Sequence, residues 1–309
     1  LVDMYSKCGS FEKAEEVFGN LNLHVRNIVS WNAMMTAYAK HGQFNKVINC
    51  FEEMKCHGIL PDAVACVCCL KACATLQDIQ RGHEIYGEVQ RRGLLDIDVF
   101  LGSSLVYMYA KCGSLTKAQE LLDELLFRDI VVWTSLITGH AQQGQGANAL
   151  ACFECLQNEG ILPNEVAFLC VLNACCHSGL LIETQILFEN MIKKYNIAPN
   201  LEHYTCMVDL FARTGHLDKT VAAIKEMPMN ACVEAWSTLL SACRKWGNMD
   251  LGRVAFEHAT VLDEKHVAAY VCMWNIYAVA SIQENAEEEL NGGHMEIRNV
   301  SQAEDKWPF

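Results

Sequence analysis

Apolar residues along this chain recur at helical spacing. Trp31, Met34, Met35 and Tyr38 fall at i, i+3, i+4 and i+7, which is one face of a helix. His41-Gly42 interrupts that face, and Val47, Phe51 and Met54 then mark the stripe of a second helix. Gly58 supplies a helix end and Pro61 cannot continue one. Pro163, Pro199 and Pro228 end similar two-helix segments. No segment sustains an alternation of period two, so strands are not predicted.

The two-helix pattern is itself repeated. "IVSWNAMMTAYAKHG…CFEEMKCHGILPD" (28–62) matches "IVVWTSLITGHAQQG…CFECLQNEGILPN" (130–164). Trp31 and Trp133 lie 102 residues apart, as do Gly58 and Gly160, and Cys73 and Cys175. "VDMYSKCGS" (2–10) matches "VYMYAKCGS" (106–114), and "VDLFARTGH" (208–216) follows 102 later. The first of these intervals, Cys8 to Cys112, is 104, and the surplus of two falls in the loop "GNLNLHVRN" before Ile28. Independent stacked units tolerate such an insertion without losing register. The 102-residue period divides into units of 35, 36 and 31 residues, over 28–62, 63–98 and 99–129. A hairpin of that size cannot bury its apolar face alone, so stacked neighbours must supply a continuous core. The predicted fold is all-α, a right-handed α-solenoid of helix-turn-helix repeats. Tetratricopeptide repeats, with a constant unit of about 34 residues, fit the 35/36/31 alternation poorly.

Composition narrows the classes. A chain of 309 residues that is 51% hydrophobic is no disordered tail, and no uninterrupted apolar stretch of 18 residues predicts a membrane span. The net charge of −13 argues against a generic basic nucleic-acid binder. Residues 281–309 hold −5 of it, and that composition predicts a disordered, divergent acidic tail. Seventeen cysteines cannot all pair within one chain, and with few prolines and glycines they predict free, mostly buried thiols in a reducing compartment. Leu1 opens inside a helical pattern without a targeting segment, so the natural chain is expected to begin earlier.

These repeats resemble the plant pentatricopeptide-repeat (PPR) proteins, and more narrowly the subclass built of P, L and S triplets. The resemblance rests on "VSWNAMM…GILPD", "LKACA" and "VYMYAKCGS" in register. It implies a truncated S unit over 1–27, then P, L and S units over 28–62, 63–98 and 99–129. A second triplet follows over 130–164, 165–200 and 201–232. Residues 233–280 resemble a partial E-type extension. The resemblance further implies single-stranded RNA as ligand, one base per unit, in a mitochondrion or chloroplast.

Short polar side chains at fixed spacing can discriminate the donor and acceptor pattern of a base edge, and an apolar residue one turn away can pack on its face. In the family, the reading positions are the residue after the first-helix aromatic and the last residue of the unit. Carried onto this chain they are Asn32 with Asp62 (uracil), Ser103 with Asp129 (guanine) and Thr134 with Asn164 (adenine). Val29, Phe100 and Val131 would pack on the bases. Asp62 and Asn164 also read simply as caps for the next helix. Thr205 stands at a reading position, but its unit ends in Cys232. Val67 and Leu169 cannot hydrogen-bond a base edge, and Ser237 has no clear partner. Lys40, Lys111 and Arg213 are candidate phosphate contacts.

Longer family members end in a cytidine-deaminase domain, whose signature is H-x-E followed by P-C-x-x-C on one zinc. His294 and Glu296 match the first half, but no P-C-x-x-C follows. Cys152 and Cys155 form a C-x-x-C without a second ligand pair, and they read as packing residues, as do Cys66, Cys68 and Cys69. Cys175, Cys176 and His177 precede Gly179 at a helix end. No catalytic centre, cofactor or metal site is predicted. The expected function is a site-recognition adaptor in C-to-U RNA editing, with a deaminase acting in trans. The alternative is a protein-interaction scaffold or an RNA-inactive fragment.

Overall fold

The computed structural model describes residues 1–22, 25–94, 98–228 and 232–292, apart from the side chains of residues 6, 99 and 280–292. Two compact units emerge, Leu1–Pro199 and Asn200–Phe309. Every regular element among the described residues is a helix. In the first unit the helices form six successive hairpins: α1 (Val2–Lys7) with α2 (Phe11–Asn20), α3 (Ile28–Lys40) with α4 (Phe44–Cys56), α5 (Ala63–Leu76) with α6 (Ile79–Arg91), α7 (Val99–Lys111) with α8 (Leu115–Glu124), α9 (Ile130–Gln142) with α10 (Gly146–Asn158), and α11 (Glu165–His177) with α12 (Leu181–Lys193). The second unit holds α13 (Leu201–Thr214) with α14 (Leu217–Glu226), α15 (Val233–Trp246) with α16 (Met249–Leu262), and α17 (Val267–Gly292).

Within each unit the first helix of a hairpin packs on its own second helix and on the first helix of the next hairpin, which is the α-solenoid arrangement. The two predicted stripes carry it. Trp31, Met34, Met35 and Tyr38 of α3 are buried, and so are Val47, Phe51 and Met54 of α4. Aromatic edges join successive hairpins, with ring centroids 5.6 Å apart for Phe11 and Tyr38, 4.9 Å for Phe18 and Trp31, and 5.1 Å for Phe153 and Phe168. Gly139 permits a close approach of α9 to α7, because a Cβ there would lie 3.0 Å from the Ala110 Cβ and 3.1 Å from its carbonyl oxygen.

Helix ends follow local chemistry. Side chains of Asn27, Asp62, Asp78, Asp98, Asp129, Asn164, Asn200 and Asn248 accept backbone N–H groups of the helices they precede. Gln77 closes α5 at φ 56°, a left-handed conformation that the equivalent residue 102 positions later, Gly179 at φ 71°, adopts without a Cβ penalty.

At the C-terminal end the structure corrects an expectation. The predicted disordered tail began at residue 281, but α17 continues unbroken to Gly292. The remaining residues, with His294 and Glu296, lie outside the described part.

Candidate nucleic-acid interface

The first helices carry the candidate residues. Helix position is counted here from the first helical residue, so Val29 is position 2 and Asn32 position 5 of α3. Val29 is 67% exposed, Phe100 74% and Val131 56%. Val64 and Val166 stand exposed at position 2 of α5 and α11 as well, which sequence reasoning passed over. Five consecutive first helices therefore present an apolar side chain to solvent at one register, three residues before position 5 on the same face. Such side chains gain nothing from the hairpin core and are free to pack on a planar ligand.

Asn32 and Asp62 are brought together. The Asn32 amide Nδ2 donates to both carboxylate oxygens of Asp62, at 3.0 and 2.9 Å, while Asp62 Oδ1 accepts the Ala65 N–H that begins α5. One carboxylate thus caps a helix and orients the amide of the preceding hairpin. The orientation leaves Asn32 Oδ1 buried and without a hydrogen-bond partner among the described residues. An unpaired buried acceptor costs about 1–3 kcal/mol, so a donor placed over it would be bound favourably.

The other pairs are less coupled. Thr134 Oγ1 donates to the Val131 carbonyl at 3.1 Å, and Asn164 Oδ1 accepts the Ala167 N–H at 2.9 Å. Each serves its own helix, which leaves the exposed Asn164 Nδ2 available as a donor. Ser103 is nearly buried, and Asp129 Oδ1 accepts the Val132 N–H at 3.0 Å. Thr205 is exposed, with its hydroxyl donating to the Leu201 carbonyl at 2.9 Å, and Cys232 makes no side-chain cap for α15. Val67 and Leu169 are half-buried.

Two features went unrecognised in the sequence. Ser237 does have a partner: its Oγ lies 2.9 Å from His266 Nε2, the residue just before α17. The interval is one residue shorter than that between Asn32 and Asp62, and His is not the expected Asp or Asn. The second feature lies one turn further along, at position 9. There a hydroxyl meets a thiol of the next first helix: Thr36 with Cys68 at 3.7 Å, Thr138 with Cys170 at 3.3 Å and Ser241 with Cys272 at 3.8 Å. Cys68 is therefore a half-buried groove residue and not core packing as expected, whereas Cys66 and Cys69 are buried. The 102-residue spacing of the three thiols was the available signal.

Five of the buried thiols are chemically quiet. All seventeen cysteines are free. Burial pushes Cys50, Cys66, Cys152 and Cys175 up to about 12 and Cys243 to about 11, so each stays protonated at neutral pH. Cys152 is buried and Cys155 exposed, so the C-x-x-C does not present two thiols to one ion. Among the described residues no group of three His, Cys, Asp or Glu side chains could hold a metal, and no helix is long and apolar enough to cross a membrane.

The candidate cations differ in commitment. Arg213 pairs with Asp209 at 2.8 Å, whereas Lys40 is exposed at the end of α3 and enters no ion pair among the described residues. Lys71 is exposed on the groove side of α5, close enough to Cys68 to lower its pKa slightly against the larger effect of burial.

Comparison with known proteins agrees with this architecture. A model of the PPR repeat family matches residues 26–75 and 128–177, and a PPR repeat model matches 1–21, 103–130, 166–195 and 202–232. In Arabidopsis thaliana, a putative pentatricopeptide repeat-containing protein is 37% identical over 90% of this chain, and the chloroplastic protein CRR2 is 39% identical over 91%. A putative mitochondrial pentatricopeptide repeat-containing protein is 35% identical over 92%. The chain spans 38%, 43% and 45% of the lengths of these relatives. Among solved structures, PPR10 in complex with an 18-nt psaJ RNA element superposes with a TM-score of 0.72 over 94% of this chain and 44% of its own, at 19% identity. PPR10 from maize gives 0.56 over 96% of this chain and 49% of its own, at 17% identity. With its hairpins, register and family models in agreement, the chain belongs to the pentatricopeptide-repeat family.

Proposed function

We propose that this chain binds single-stranded RNA and reads its sequence along the first-helix face of α3 to α11. The observation that carries the reading is the Asn32–Asp62 pair beneath the exposed Val29. Its unsatisfied Asn32 Oδ1 calls for a donor, and uracil offers N3–H where cytosine and adenine offer a ring acceptor. Guanine also carries a ring N–H, and its larger outline is what the site must exclude. At the next P-type position, Asn164 Nδ2 suits the N1 acceptor of adenine, with the Thr134 oxygen accepting from N6. At Asp129 the carboxylate oxygen not used by Val132 suits the N1–H and N2–H donors of guanine. Val29, Phe100 and Val131 would flank these bases. Thr205 contributes weakly because Cys232 brings no polar partner.

On this reading the array belongs to the P-L-S subclass with an E-type extension and selects sites for C-to-U editing of organellar transcripts. A deaminase acting in trans is the partner this reading calls for. Its relatives include a chloroplastic and a mitochondrial protein, which supports an organelle without choosing between them. Phosphate contacts fall to Lys40, Lys71 and Lys111, and an overall charge of −13 makes affinity modest and strongly salt-dependent.

Selection from a randomised RNA pool tests the assignment. Enrichment of a U-x-G-A-like order is expected from the units spanning 28–164. A bound pool without that order would end the base assignments.

A further inference from the structure

The hairpins α3–α4 and α9–α10, which match over their length, differ at one polar cluster beside the first-helix tryptophan. In the later hairpin Glu159 ends α10, and its carboxylate takes two donors at once. Oε1 accepts from Arg128 Nη1 at 2.5 Å and Oε2 from Trp133 Nε1 at 2.9 Å. Arg128 is anchored from behind, donating to the carbonyls of Leu122 and Asp123 at the end of α8. One charged acceptor shared between a guanidinium and an indole N–H is a strong and directional arrangement.

In the earlier hairpin the donors remain and the acceptor is gone. Arg26 and Trp31 stand 102 residues before Arg128 and Trp133, but His57 stands where Glu159 would. Arg26 is anchored in the same way, donating to the carbonyls of Leu21 and Gly19. Its Nη1 donates to none of the described residues. The guanidinium rests on aromatic faces instead, with Cζ 4.6 Å from the Phe18 ring centroid and 5.6 Å from that of Trp31. Trp31 is fully buried, and its Nε1 has no hydrogen-bond partner among the described residues. Folded chains rarely leave a buried donor so. His57 is exposed at the end of α4, its ring centroid 6.2 Å from that of Trp31, and its imidazole can add a further N–H.

The charge of the surroundings narrows the ligand. Arg26 and Glu53 both lie close enough to act on the Cys50 thiol, in opposite directions. A carboxylate beside the guanidinium disfavours a phosphate dianion and leaves a single negative charge acceptable. The later hairpin shows which monoanion matches this pair of donors.

We propose that Arg26, Trp31 and His57 form a binding site for one carboxylate group, carried by a small organic acid or by an acidic side chain of a partner polypeptide. The bound group takes the place that the Glu159 side chain fills in the later hairpin, one oxygen on the indole N–H and the other on the guanidinium. The site does not depend on base reading at Val29 and Asn32.

The test follows the indole N–H signals of the full chain by NMR with isotope-labelled tryptophan, Trp31 being assigned through Trp31→Phe. Sodium acetate should shift the Trp31 signal saturably, and sodium chloride at equal ionic strength should not. His57→Glu supplies the carboxylate from within, at an exposed position. It should move the Trp31 signal toward that of Trp133 without acetate, abolish the response to acetate and raise Tm. Arg26→Gln should weaken acetate binding at least fivefold, with circular dichroism checking its fold. A blocked peptide of residues 157–160, which carries Glu159, separates the sources. Binding at least tenfold tighter than acetate selects a polypeptide side chain, and weaker or equal binding selects a small acid. No shift with acetate, or a shift that His57→Glu leaves intact, overturns the proposal. So does inorganic phosphate binding tighter than acetate together with RNA binding lost in His57→Glu, which would make the site a nucleic-acid contact. A Trp31 signal already hydrogen-bonded in the free chain and released by Glu53→Gln also overturns it, because the chain would then supply its own acceptor.

Discussion

The stretch from Leu1 to Pro199 and the stretch from Asn200 onward stack the same hairpin, yet their first helices face solvent differently. Position 2 is Val29, Val64, Phe100, Val131 and Val166 in the first unit. In the second it is Glu202 in α13, Glu234 in α15 and Ala268 in α17. Hydrogen bonding to its own backbone N–H, and then to Cys232, holds the Glu234 carboxyl below the usual range, so it stays ionised. A carboxylate at that register repels a phosphate chain where a valine would pack on a base. The second unit instead exposes the aromatic face of α17. A shared fold thus carries two surface chemistries, and the function of each unit rests on its side chains.

Alkaline pH should separate the two units most strongly. Buried thiols are neutral in the folded chain, with pKa about 12 for Cys50, Cys66, Cys152 and Cys175, all in the first unit. Cys243, at about 11, lies in the second. An unfolded thiol ionises near 8.5, so this stability is complete below that pH and falls as pH rises toward the folded values. Each thiol then loses about 1.4 kcal/mol per pH unit. By pH 10 each such thiol has lost about 2 kcal/mol, so these groups should cost the first unit about 8 kcal/mol and the second about 2 kcal/mol. Hydrogen exchange at pH 8 and 10, read over α3–α11 and over α15, should show the first unit opening first. Equal losses in both would break the contrast.

Two tryptophans sharpen it further. Trp31→Ala removes a fully buried ring and should cost about 3–5 kcal/mol in urea unfolding. Trp274→Ala, at an exposed site, should stay within about 0.5 kcal/mol. Next in size is the RNA contact. Asn32→Ala should cost about 1–3 kcal/mol at one base position and leave the others unchanged, measured by binding to single-substituted RNAs. A uniform loss across all RNAs would point to structural damage instead. Smallest is a gain: Glu234→Val should tighten RNA binding by under about 1 kcal/mol, with a shallower salt dependence. No gain would mean that the α15 face lies off the RNA path.

Much of the architecture was legible because a repeat amplifies its own signal. One Trp-x-x-Met face is ambiguous, but the same face 102 residues later is not, and each such residue proved buried. The caps were legible for a local reason, since Asp62, Asp129 and Asn164 need only the first turn of the helix they precede. The pairing of Ser237 with His266 was not legible, because its interval and its residue type both depart from the pattern. The groove position of Cys68 was hidden too, since its neighbours Cys66 and Cys69 share its chemistry and point into the core. The continuation of α17 past residue 280 was missed because acidic composition resembles disorder even where a helix forms.

Sequence alone determined the hairpins, their register and the family, because hydrophobic spacing and turn chemistry act over a few residues and the repeat multiplies them. Tertiary structure decided which polar atoms remain unsatisfied and which apolar faces remain bare. Asn32 Oδ1 is left over only because Asp62, thirty residues away, claims the amide nitrogen. Trp274 is exposed where Met35, Leu70, Leu172 and Leu240 are buried, because among the described residues no second helix returns along α17 to cover it. Both depend on what neighbouring hairpins supply, which a residue's own sequence surroundings do not contain.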